Sequence, residues 1–195
     1  MGARGLPLAA VSLPAMEVPT PRPASAAEGG QRPLLLLDVD GVLCPFEGDP
    51  PSVRRVGPEG YERVDLSGDE LDPHLWISRA NADHLSRLAE RFDIVWATGW
   101  GEHANRVIGP LHRLGELPVV ELYDGGGATW KLASVGAYVG EQRPCVWIDD
   151  DLNEDAEQWA ERRPGPTLLL RCEPHLGLTE EIVERCFRWL DGLPS

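Results

Sequence analysis

Lysine is nearly missing from this chain. Of 18 basic residues among 195, Lys131 is the single lysine and the rest are arginines. Positive charge is scarce too, since 32 acidic residues leave a formal net charge of −14. Long-range repulsion from such a surface argues against stable binding to duplex nucleic acid, itself a polyanion. No apolar run approaches the ~20 residues that span a bilayer, so no membrane partner is expected. Paired cysteines are lacking as well. Cys44, Cys145, Cys172 and Cys186 form no CxxC pair and no Cys/His zinc spacing, which predicts free thiols in a reducing cytoplasm. Internal repeats are also absent.

What is present suits one globular domain with a tail. The hydrophobic fraction of 42% supports a packed core for a chain of this length. Residues 1–32 are rich in Pro, Ala and Gly and read as a disordered tail. Leu6 to Ala15 followed by Ala24-Ser-Ala26 offers a secretory signal as an alternative, although Pro7, Ser12 and Pro14 interrupt its apolar part. Met16 offers a second start. Residues 33–192 form the expected domain.

Five apolar runs of strand length punctuate that domain: 34–37, 93–97, 117–122, 144–148 and 167–171. Nearly continuous apolar runs suit strands buried on both faces. Helical patterns fill the gaps at 80–91, 102–114, 130–139, 153–161 and 180–190, the last capped by Thr179 with Leu178 stapled onto Val183. The alternation predicts an α/β fold, a parallel sheet with helices on both faces. Residues 44–75 break the alternation with Pro45, Pro50, Pro51, Gly57, Pro58, Gly60 and Gly68, and read as a β-hairpin flap followed by a loop. About 53 residues separate Cys44 from Ala97, too few for a large cap domain beside a strand and a helix.

In a parallel sheet, ligands bind outside the carboxyl ends of the strands. The residues at those ends are therefore informative. Asp38 and Asp40 follow the first run, Thr98-Gly99 the second, and Asp149-Asp150-Asp151 the fourth; Lys131 opens the helix before that fourth strand. Clustered carboxylates need a cation, and an all-oxygen donor set suits Mg²⁺. Mg²⁺, an ammonium and a hydroxyl together make a pocket for a phosphoryl group. Lys131 adds weight, because a chain that otherwise uses arginine has kept a compact point charge there.

Competing patterns fail. Asp149 to Ala160 lacks the glycine and the final glutamate of a calcium loop. Gly125-Gly-Gly127 lacks P-loop spacing and reads as a flexible lead-in to Lys131. Trp76, Trp96, Trp100, Trp130 and Trp147 bracket these motifs and are expected to pack in the core or at its rim, with base stacking as the alternative.

Taken in order, Asp38-Val-Asp40-Gly41, Val95-Trp-Ala-Thr98, Lys131 and Val146-Trp-Ile-Asp149-Asp150 resemble the four motifs of the haloacid dehalogenase (HAD) superfamily of hydrolases, over about Pro33 to Leu190. The strings D-V-D-G-V-L, V-W-A-T-x-W, T-W-K and W-I-D-D are similar, more narrowly, to the HAD domain of Swiss Army Knife RNA repair proteins. The resemblance implies a three-layer α/β/α Rossmann-like sandwich with strand order 5-4-1-2-3. It implies Asp38 as a nucleophile that forms an aspartyl-phosphate. Asp40 becomes the acid and base, and Thr98, Gly99 and Lys131 bind phosphate. The Mg²⁺ ligands it implies are Asp38, the Asp40 carbonyl and Asp150, with Asp149 either bound through water or orienting Lys131. The expected substrate is a phosphomonoester, whether a small molecule, a nucleotide or a nucleic-acid end. A silent binding or regulatory module and a phosphotransferase are the alternatives.

Overall fold

The computed structural model describes residues 32–46, 60–66, 74–123 and 130–194. The remainder of the 1–32 tail, most of the expected flap (47–59 and 67–73) and the glycine run at 125–127 lie outside the described residues.

Four strands form one parallel sheet. β1 (Leu34–Leu37) and β5 (Cys145–Asp149) are central, β4 (Asp93–Trp96) and β6 (Thr167–Arg171) flank them, and the order is β4-β1-β5-β6. Every residue of β1 and β5 is buried, as continuous apolar runs demand when helices cover both faces. Successive side chains of β1 point to opposite faces. Leu35 and Leu37 join a core with Leu85 and Leu88 of α1 (Arg79–Ala89), Ile108 of α2 (His103–Leu111) and Val183 of α5 (Glu180–Asp191). Leu34 and Leu36 join a second core with Val135 of α3 (Leu132–Val139) and Ala156 of α4 (Glu154–Arg162). Two cores split by one strand make the three layers. Thr179 caps α5 by accepting from the Ile182 N–H, and Leu178 and Val183 are both buried beside that cap.

The third expected strand, at 117–122, is corrected to a single bridge, Val119 against Trp96. The order otherwise occupies the first four positions of the expected 5-4-1-2-3. The cause is local. Pro118 has no N–H, and the Leu117 N–H and carbonyl are both taken by the Asn105 side chain of α2 at 2.9 and 2.8 Å.

The insertion also differs from expectation. β2 (Tyr61–Asp65) and β3 (His74–Ser78) pair antiparallel, but β3 runs straight into α1 with no loop between. Leu75 and Ile77 alternate into the core, which fixes the base of this ribbon. Tyr61 ties the ribbon to the far side by donating to the Leu176 carbonyl at 2.9 Å. All four cysteines are buried and none of them forms a disulfide. No described helix is long and apolar enough to cross a membrane.

Candidate active site

Register brings the motif residues to one edge. Leu37 pairs with Trp96 on one side and Ile148 on the other. The next step continues the ladder: the Ala97 N–H donates to the Leu37 carbonyl, and the Asp38 N–H to the Ile148 carbonyl at 3.1 Å. Asp38, Thr98 and Asp149 therefore leave adjacent strands at nearly the same level.

Asp38 is 4% exposed, and its Oδ1 accepts the Val39 N–H at 2.8 Å. Its Oδ2 is ion-paired with Lys131, which stands one residue ahead of α3. The same Nζ reaches Asp149 Oδ2 at 2.8 Å. Asp149 is fully engaged: Oδ2 also accepts the Trp147 indole N–H at 3.2 Å, and Oδ1 accepts the Asp151 N–H at 3.0 Å. Asp150 points elsewhere, onto Gly41. A Cβ on Gly41 would lie 2.5 Å from the Asp150 carboxylate, and Gly41 has φ of +67°, so that position needs glycine twice over. The Val39 carbonyl accepts from the Leu43 and Cys44 N–H groups and closes the turn that carries Asp40 and Gly41.

Asp38, Asp149 and Asp150 each place an oxygen within 4.8 Å of the others. Such crowding has an electrostatic signature. Burial, then the Asp149 charge, push Asp38 up to about 7 against the pull of Lys131. Burial and Asp149 likewise push Asp150 up to about 6. Burial disfavours the Lys131 ammonium, but the Asp38 and Asp149 charges outweigh it and raise its pKa. One ammonium among three carboxylates leaves the cluster short of positive charge. An all-oxygen set of three clustered carboxylates fits a small hard divalent cation.

Thr98 is buried, and its Oγ1 accepts the Trp100 N–H at 3.4 Å. Gly99 is exposed, and a Cβ built on it would lie 3.4 Å from the Trp130 ring. Trp130 itself lies 5.6 Å from the Lys131 ammonium, within cation–π range. Asp40 stands outside the three-carboxylate cluster and accepts the Trp100 indole N–H on Oδ2 at 2.9 Å. Tryptophans 100 and 147 pack as expected, Trp147 within a core and Trp100 at the rim of one, and each also holds a site carboxylate. For Trp147 a signal existed, because its position two residues before Asp149 puts both on one strand face. For Trp100 the chain spacing from Asp40 carries no such cue.

Aspartates at the ends of two adjacent parallel strands, joined by a lysine just ahead of the helix that precedes the second of them, are the arrangement of a HAD-class domain. The chain belongs to the family described as the HAD domain in Swiss Army Knife RNA repair proteins, whose family model matches residues 34–183. HAD domains are generally hydrolases of the phosphatase type and typically use Mg²⁺. No curated protein and no solved structure matches the chain.

Proposed function

We propose that this chain is an Mg²⁺-dependent phosphomonoester hydrolase that works through an aspartyl-phosphate on Asp38. The observation that supports it most is the buried Asp38 carboxylate, paired to the chain's one lysine and gathered with Asp149 and Asp150. Asp38 is the nucleophile, and its second oxygen is held by the Val39 N–H. Lys131 offsets charge on the phosphoryl oxygens, and Thr98 with the Gly99 and Trp100 backbone N–H groups holds them in place. Asp40 gives its proton to the leaving oxygen and later takes one from the attacking water. Asp38, Asp150 and the Asp40 carbonyl would hold Mg²⁺. Asp149, with both oxygens already engaged, orients Lys131 instead. Mg²⁺, when bound, neutralises charge between the carboxylates and the phosphoryl group.

Residues 33–192 act as one domain in this reading, with the β2–β3 ribbon as a flap beside an open site. An open site admits extended substrates, so a nucleotide or a nucleic-acid end phosphate is the substrate class we favour, consistent with the family's description. The test is phosphate release with Mg²⁺, from an aryl phosphate first and then from 3′- and 5′-phosphorylated oligonucleotides. Wild type turns over, and Asp38→Asn loses on the order of 10⁴-fold. Equal rates for the two proteins would remove Asp38 from the chemistry.

A further inference from the structure

In the hydrolase reading the leaving oxygen departs beside Asp40, so the side chains around that residue mark where the rest of the substrate lies. One row of them runs outward from it. The Trp100 indole N–H donates to Asp40 Oδ2 at 2.9 Å. The Trp100 ring stacks on His103, with centroids 5.4 Å apart and planes 13° off parallel. His103 and Arg106 are three residues apart on α2 and share a face, where the Arg106 guanidinium lies 3.3 Å from His103 Nδ1. Resting on the hydrolase reading above, we propose that this row is the leaving-group subsite for a nucleic-acid strand end. The terminal nucleoside lies along the Trp100–His103 pair, and Arg106 holds the first phosphodiester beyond it.

Two tryptophans give the direction. Both border the Thr98–Trp100 loop, yet they keep different company. Trp130 lies 5.6 Å from the Lys131 ammonium, on the phosphoryl side. Trp100 lies by Asp40, on the leaving side. Aromatic rings followed by a guanidinium suit a base and a phosphodiester in succession, because every base has a face to stack and arginine can grip two phosphate oxygens at once. Charge then singles out Arg106. Seven described arginines pair with a carboxylate. Among the described residues Arg106 pairs with no acid, and its partner is an imidazole. Glu102, the acid nearest in sequence, is turned aside, its Oε2 accepting the Asn105 amide at 3.2 Å. Arg106 is exposed, so its charge stays open to a ligand. On a chain of net charge −14 it offers a strand end one local foothold, while the overall charge still repels a duplex.

The test changes one charge on each side of the contact. Wild type and Arg106→Ala are compared, with Mg²⁺, on two dinucleotides that carry a terminal phosphomonoester. One has a normal phosphodiester linkage, the other a neutral methylphosphonate linkage. Wild type is expected to favour the charged linkage by about tenfold in kcat/KM, mostly through KM, and R106A to treat the two alike within about twofold. A wild type indifferent to the linkage, or an R106A that keeps the full preference, overturns the inference and leaves the hydrolase reading intact. So does a wild type that releases phosphate from an aryl phosphate and from neither dinucleotide. A wild type that turns over none of the three overturns both. Should R106A not fold, Arg106→Gln keeps most of the stem and carries the same comparison.

Discussion

The two ends of the parallel sheet both carry charge, and they handle it in opposite ways. At the amino edge, Asp93 stands between two arginines, with Arg32 at 3.2 Å and Arg143 at 2.5 Å. Its side chain is 41% exposed, its charge is more than matched, and water screens what is left. At the carboxyl edge three carboxylates share one ammonium, and the Asp38 side chain is 5% exposed. The first arrangement is at rest. The second is held in a state that a cation and a phosphoryl group would relieve, which is how sites with perturbed carboxyls come to mark chemistry.

Removing the cation from the crowded edge sharpens the contrast most. Lys131→Met is expected to lower kcat by about 10²–10³-fold. It also leaves buried carboxylates unpaired, which costs about 3 kcal/mol in a denaturant melt of the metal-free protein. Lys131→Arg does not restore the rate, because a planar fork cannot replace a point charge between Asp38 and Asp149. Gly41→Ala comes next. Its Cβ collides with the Asp150 carboxylate and its φ is left-handed, so a loss of about 1–2 kcal/mol and a weaker Mg²⁺ requirement curve are expected.

The pH response is a smaller effect with a definite sign. Asp38 is raised from 3.8 to about 7 on folding. The folded protein therefore holds a proton that the unfolded chain releases. That contribution to stability is full below about pH 4 and is lost as pH rises through about 7. Asp150, raised to about 6, acts the same way. Mg²⁺ should thus raise the melting temperature more at pH 8 than at pH 5, and a chelator should reverse it. Equal shifts at both pH values would show that the cation does not sit on these carboxylates. The smallest effect belongs to the amino edge. Asp93→Asn is expected to cost no more than ~1 kcal/mol and to leave turnover at the wild-type rate.

Much of this contrast was legible in the sequence because it follows from periodicity. Four leucines running into Asp38 suit a strand covered on both sides, and the carboxyl edge then collects Asp38, Thr98 and Asp149. The loss of the strand expected at 117–122 was not legible, since its apolar pattern is sound and the failure comes from Pro118 together with a tertiary partner, the Asn105 amide. The different surroundings of Asp149 and Asp150 were equally hidden. They are neighbours in the chain, and only the approach of Lys131 and Trp147 to one and of Gly41 to the other tells them apart. Trp100 beside an apolar strand end looks like packing until the direction of its N–H is known.

The central claim is that a phosphoryl group becomes bonded to Asp38. It is tested most directly by quenching the enzyme in mid-turnover with Mg²⁺ and a phosphomonoester, reducing the acyl phosphate with borohydride, and sequencing the peptides by mass. The account predicts homoserine in place of aspartate at position 38. Steady turnover with residue 38 unchanged, or with homoserine formed at another aspartate, would contradict it.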